Sequence, residues 1–167
     1  LPADEREGLH VRAAGRLAQG RWHDAGRILE DLSARYPHDL LALQVGHQID
    51  FFTGASRMLR DRIARAQPSW HDGMPGHHAV LSMLAFGLEE TGDYGRAEIY
   101  GRRGVEQEPQ DGWGWHAVAH VMEMQHRRRD GVAWLTSQTP AWSEGSFLAV
   151  HNWWHLALFH LGLGQIA

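Results

Sequence analysis

The residue pattern predicts an all-α fold, a right-handed solenoid of about four and a half stacked helix pairs. Two observations carry this expectation. Gly20-Arg21-Trp22-His23-Asp24-Ala25 and Gly92-Asp93-Tyr94-Gly95-Arg96-Ala97 each place an aromatic residue two positions after a glycine and an alanine three after that. Each is followed by a proline 17 positions beyond its glycine, Pro37 and Pro109. The second observation is the spacing of Leu81, Leu84, Ala85 and Leu88 just before Gly92, which is the apolar stripe of a helix.

A turn glycine, an aromatic wedge, a small residue where two helices touch and a helix-ending proline make up the second half of a tetratricopeptide repeat. The leading helix of each pair is expected near 4–19, 39–53, 77–91, 112–126 and 147–163. The trailing helix is expected near 22–36, 55–67, 94–107 and 129–138. The repeats then run near 4–38, 39–68, 77–110, 112–138 and 147–167, within one domain spanning 1–167. Gly101 and Gly104 fall inside a trailing helix, where each costs about 1 kcal/mol against alanine. Close approach of a neighbouring helix is the expected compensation. Ser69 to Gly76 and Thr139 to Ser146 read as irregular connections that break the repeat period. The fifth leading helix ends near Ala167 without a partner. An uncapped apolar helix of this kind is expected in a piece of a longer protein, and it offers a surface for self-association.

Composition excludes several function classes. The 167 residues suit one domain. Sixteen basic against twenty acidic side chains leave a net charge of −4, the wrong sign for a nucleic-acid module. No apolar run approaches the roughly 20 residues that span a bilayer and no signal-peptide pattern opens the chain, so no membrane partner and a cytoplasmic location are expected. There is no cysteine, hence no disulfide, thiolate nucleophile or Cys-ligated zinc. All sixteen basic residues are Arg, which excludes a Schiff-base lysine and a P-loop lysine. Imidazole and indole remain. Nine of the 13 His and seven of the 8 Trp lie from Trp70 onward, so the second half carries the chemistry.

The resulting constellation is compact. His116 and His120, four apart on one helix, share a face about 6 Å apart along the axis. Glu123 follows on that face, and His151 and His155 repeat the spacing on the next leading helix. Leading helices of consecutive repeats lie side by side, so four imidazoles and a carboxylate are expected around one volume. Two uses compete. One is a His/Trp-rich concave groove for a peptide, a protein or a small polar ligand, walled by Trp113, Trp115, Trp153 and Trp154. The other is a divalent-metal site, Zn among the candidates, with His116, His120, His151 and His155 as ligands. Glu123 would then be a ligand or the base of a metal-dependent, hydrolytic enzyme. A third, plainer outcome is that these histidines merely bridge helices as hydrogen-bonded core residues.

Lesser signals surround this cluster. Glu89 falls at a groove-facing position and offers a further carboxylate, with Glu90 beside it at a helix end. Gln44, His47 and Asp50 extend the polar lining on an earlier leading helix, whereas His77 and His78 are expected to face solvent in a first helical turn. Arg127-Arg128-Arg129 reads as a solvated corner. Ala141-Trp142-Ser143-Glu144-Gly145 imitates a nucleophile elbow, but no strand precedes it to hold one.

Met83 to Glu98, Trp115 to Gln125 and His151 to Gly164 resemble the tetratricopeptide repeat protein 38 family. The similarity runs from about Leu40 to the C-terminus and rests on the motifs H-x-V-A-H-x-x-E-M and H-N-x-W-H, which ordinary tetratricopeptide repeats lack. The resemblance implies an α-helical repeat fold and a longer parent protein. It implies no reaction and no catalytic residue.

Overall fold

The computed structural model describes residues 4–165, and among them every regular element is helical. The helices are α1 (Glu5–Ala18), α2 (Trp22–Arg35), α3 (Leu40–Phe52), α4 (Ser56–Ala66), α5 (His77–Glu89), α6 (Tyr94–Gln107), α7 (Gly112–Met124), α8 (Arg128–Ser137), α9 (Thr139–Ser143) and α10 (Ala149–Gly162). The predicted ends at 1–3 and 166–167 lie outside the described residues.

Local chemistry sets the boundaries. Asp4, Asp39, Asp93 and Asp111 each accept a backbone N–H of the first turn that follows, capping α1, α3, α6 and α7. These caps satisfy donors that the helix itself leaves unpaired. Gly20 and Gly92 adopt φ of +70° and +84° in the turns between α1 and α2 and between α5 and α6, a region costly for any residue with a Cβ. Pro37 and Pro109 follow the ends of α2 and α6, where a proline cannot continue the helix.

Packing is sequential and layered. Each helix from α1 to α7 packs on its successor, and α10 packs on α7, α8 and α9. Odd-numbered neighbours also touch, α3 on α5 and α5 on α7. Buried apolar side chains join these layers, with Leu43, Ile63, Val80, Leu84 and Val121 in one cluster and Val118, Met122, Leu135 and Phe159 in the next. The glycines of α6 occupy close contacts. A Cβ on Gly101 would meet Val118 at 2.6 Å and one on Gly104 would meet the Ser82 hydroxyl at 2.5 Å.

Several expectations change. Thr139 to Ser143 forms a short helix rather than an irregular link, because Pro140 suits a first turn and the Trp142 indole is fully buried, donating to Leu135 O at 2.9 Å. Arg127 is not a solvated corner. It bridges α6 and α8 by donating to Glu98 at 2.6 Å and to Asp130 at 2.8 Å. His77 is buried rather than solvent-facing, and His78 donates toward Asp111 at 3.0 Å. Among the described residues no helix is long and apolar enough to cross a membrane.

Candidate metal centre

The site forms where α7 meets α10, and two contacts set their register. The Asn152 amide donates to Gly112 O at 3.2 Å, tying the start of α10 to the start of α7. Further along, the Phe159 ring fills the space that Gly131 of α8 leaves open, since a Cβ there would lie 2.4 Å from the ring. His151 immediately precedes the first anchor, and His155, one turn further on, lies between the two. Both histidines face His116 and His120 across the helix interface.

The four rings converge. Centroids of His116 and His120 are 4.3 Å apart, those of His120 and His155 4.6 Å, and those of His116 and His151 4.8 Å. Nε2 of His151 lies 3.1 Å from Nε2 of His155. One ligand nitrogen from each of the four lies within 4.8 Å of the others. Both nitrogens of His116, Nε2 of His120 and Nδ1 of His155 are buried without a hydrogen-bond partner. Unpaired buried polar atoms are expensive, and here they cluster in one place.

Burial disfavours the charged form of three of the four rings. Burial pushes the His116 imidazole well below its ordinary value, and the neighbouring histidines push it further down. Burial takes His155 down to about 3, reinforced by His120 and His151. His151, the most exposed of the four, is lowered by burial and by His120. Several imidazolium charges cannot share one dry volume. Neutral rings leave lone pairs free for ligation.

A carboxylate stands behind the cluster. Glu89, at the end of α5 and only 5% exposed, places Oε2 3.4 Å from Nδ1 of His120. With the Nδ1 proton turned toward Glu89, Nε2 of His120 presents its lone pair to the other rings. Carboxylate–histidine pairs of this kind fix ring orientation at metal centres. Glu90 joins Glu89 and His120 as a second donor group, and burial together with the Glu89 charge pushes its carboxyl up.

Not every expected site residue is here. Glu123 belongs to neither donor group, although its Oε2 is buried without a partner. It lies one turn past His120, about 4.5 Å further along the axis, beyond the level at which α10 supplies imidazoles. Trp115 is not in the groove. One residue before His116, it points about 100° around the helix and stacks on Trp134 with centroids 4.1 Å apart. Trp153 packs on Trp142 instead of facing the histidines. His47 and Asp50 do not extend the lining: both are buried, with His47 Nδ1 3.2 Å from Leu59 O and Asp50 paired to Arg62 at 2.7 Å.

Beside the imidazoles opens a cavity of about 720 Å³. Phe51, Phe86, Trp113, Val150 and Trp154 form its walls with the exposed edges of the four histidines. Phe86 stands 5.3 Å from His116 and 5.5 Å from His120, centroid to centroid. Sequence reasoning missed Phe51, Phe86 and Val150. A partial signal existed in Gln44, Gln48, Phe51 and Phe52, which share one face of α3 at helical spacing. No protein-family model matches this chain.

Proposed function

We propose that this chain is a tetratricopeptide-repeat-like helical module, akin to the tetratricopeptide repeat protein 38 family. Its concave face carries a divalent transition-metal centre on His116, His120, His151 and His155, and the ion serves a small molecule held in the adjoining cavity. Support for the repeat architecture comes from helices that pack in sequence order, with α3, α5, α7 and α10 lining one face.

The observation that carries the metal reading is the convergence of four imidazoles, three of which have buried nitrogens without partners. A metal–nitrogen bond of about 2.0–2.1 Å gives a tetrahedral N···N edge of about 3.3 Å. The His151–His155 separation of 3.1 Å is close to that edge. The other pairs lie within 4.8 Å and would close on the ion by side-chain rotation. Imidazole suits Zn, Cu, Fe and Ni. Four uncharged ligands leave the ion its full charge, which strengthens it as a Lewis acid toward an oxygen on the cavity side. Glu89 is the orienting partner of His120 in this reading, and Glu123 is given no part.

A ligand groove without metal is the second reading, favoured by the aromatic walls of the cavity. It leaves the imidazole nitrogens unexplained, since they aim at one another across the α7–α10 interface. Elemental analysis of protein purified without a polyhistidine tag separates the two. The metal reading expects about one transition-metal ion per chain, lost in His116→Ala and in His155→Ala. Folded, metal-free protein that also fails to take up added zinc, cobalt, nickel or iron would refute it.

A further inference from the structure

The cavity beside the imidazoles continues along the groove. A second cavity of about 700 Å³ shares Gln48, Phe52, Trp113, Phe147 and Leu148 with the first. The two form one trough over α3, α5, α7 and the start of α10. Each section alone falls within the usual size of a small-molecule site.

The two ends differ in chemistry. At the imidazole end, large apolar side chains stand open: Phe52 is 66% exposed, Phe147 94%, Val150 82% and Trp154 60%. Single exposed hydrophobics are ordinary, but several around one trough mark a binding surface. At the other end Gln44, His78, Glu108, Gln110 and Asp111 join Leu40 and Met83 in the lining. Asp111 is already engaged there, accepting from Ser82 at 2.7 Å, from His78 at 3.0 Å and from the first N–H groups of α7. Among the described residues Glu108 accepts only the backbone N–H of Gln110. Its second oxygen is left for a ligand.

Charge decides which ligand. The chain carries sixteen Arg, and none lines either section of the trough. The hydrogen bond to Asp111 raises the His78 pKa, yet a fully protonated His78 still faces two carboxylates. The polar end therefore stays negative. A carboxylate or phosphate head would meet repulsion, with His78 already held by Asp111, whereas an ammonium head would meet Glu108.

We propose that this trough binds a cationic amphiphile, an aliphatic or aromatic amine whose apolar body lies along Phe52, Trp113 and Trp154 beside the imidazoles and whose ammonium head sits at Glu108. This deepens the ligand-groove part of the functional reading above and is independent of which metal, or whether any, is bound.

Calorimetric titration of the full chain, first with chelator present, provides the test. The probes are decylammonium, decanoate and decanol, all kept below their aggregation concentrations. Decylammonium is expected to bind at one site, with decanoate at least about tenfold weaker, a gap of about 1.4 kcal/mol. Glu108→Gln should cost the amine about tenfold and leave decanol unchanged. Trp154→Ala and Phe52→Ala should weaken the amine and the alcohol together. These side chains are half-buried or exposed, and thermal unfolding of each variant verifies the fold. Equal or tighter binding of decanoate, no binding of any probe, or indifference of the amine to Glu108→Gln would each overturn the proposal. The titration is then repeated on zinc-loaded protein. Amine binding that occurs only with zinc and vanishes in His155→Ala would put the head on the ion, which also overturns it. Amine binding to a chain that takes up no metal would uphold this proposal while the metal reading failed.

Discussion

At the scale of single residues, the buried imidazoles set how this protein responds to acid. Burial holds both His47 and His155 down to about 3 in the folded state, against about 6.5 in an unfolded chain. Above pH 6.5 these two histidines are neutral in both states and contribute no pH dependence. Below it the unfolded chain takes up protons that the folded protein refuses, so stability falls as pH drops from 6.5 toward 3. Each such histidine contributes a slope of about 1.4 kcal/mol per pH unit. His78 acts in a different window: its stabilisation is present below pH 6.5 and is lost as pH rises through its raised value, so it adds a second decline on the alkaline side and does not cancel the acid one. The lowered carboxylates Asp39 and Glu98 act only below about pH 4. Urea midpoints of metal-free protein should therefore drop between pH 6.5 and 5.5, by about 2 kcal/mol for His47 and His155 together. A flat profile over that interval would mean the rings are solvated.

Glu89 is the second residue-scale prediction. Glu89→Gln keeps the shape but removes the charge behind His120, and loss of such a partner typically weakens metal affinity 10- to 100-fold. Competition against a chromophoric chelator measures it, and an unchanged affinity would remove Glu89 from the site. The i, i+4 pairs His116/His120 and His151/His155 were legible in the sequence because spacing alone puts two side chains on one face. Trp115 and Glu123 were misplaced because neighbouring positions on a helix differ by a rotation and a rise that only the partner helix interprets. The Asp50–Arg62 pair, which removes Asp50 from the groove, joins α3 to α4 and leaves no local signature.

At the scale of elements, glycine marks where helices touch. A Cβ on Gly87 of α5 would lie 2.6 Å from Cα of Arg60, and backbone cannot yield as a side chain does. Gly87→Ala should push α5 off α4 and destabilise the protein by about 1–3 kcal/mol. At Gly15 of α1 the space a Cβ would enter is open, with nothing within 4 Å, so Gly15→Ala should stabilise by about 0.5–1 kcal/mol through helix propensity. Thermal unfolding of the pair checks both signs; matching effects would deny that contact governs these positions. Leading and trailing helices were readable to within a few residues, since apolar period, Asp caps and Gly or Pro stops agree. The short helix at Thr139–Ser143 was not readable, because burial of Trp142 against α8 stabilises it and five residues carry too little pattern.

At the scale of the whole molecule, layering of α3, α5, α7 and α10 turns separate helix faces into one trough with a ligand-rich floor. The anchors that dock α10, Asn152 on Gly112 and Phe159 on Gly131, place its histidines opposite those of α7. Filling the space beside Gly131 should separate the two pairs. Gly131→Ala is expected to lower metal affinity although residue 131 touches no imidazole, and a normal affinity with normal stability would show that the register is set elsewhere. All-α character was legible from periodicity across the chain. The trough was legible only in part: Trp113, Trp154 and the histidines were expected in it and line it, whereas Phe51, Phe86 and Val150 are apolar residues on different helices that sequence alone assigns to a core.

The central claim is that four imidazoles on two helices converge on one metal ion. Titrating untagged, metal-free protein with Co(II) tests it most directly, since ligand geometry governs the visible spectrum. Convergence predicts a saturable spectrum of nitrogen-ligated, low-coordinate cobalt at one equivalent, absent in His116→Ala and His155→Ala. The pale spectrum of hydrated cobalt at every ratio, from protein shown to be folded, would contradict it.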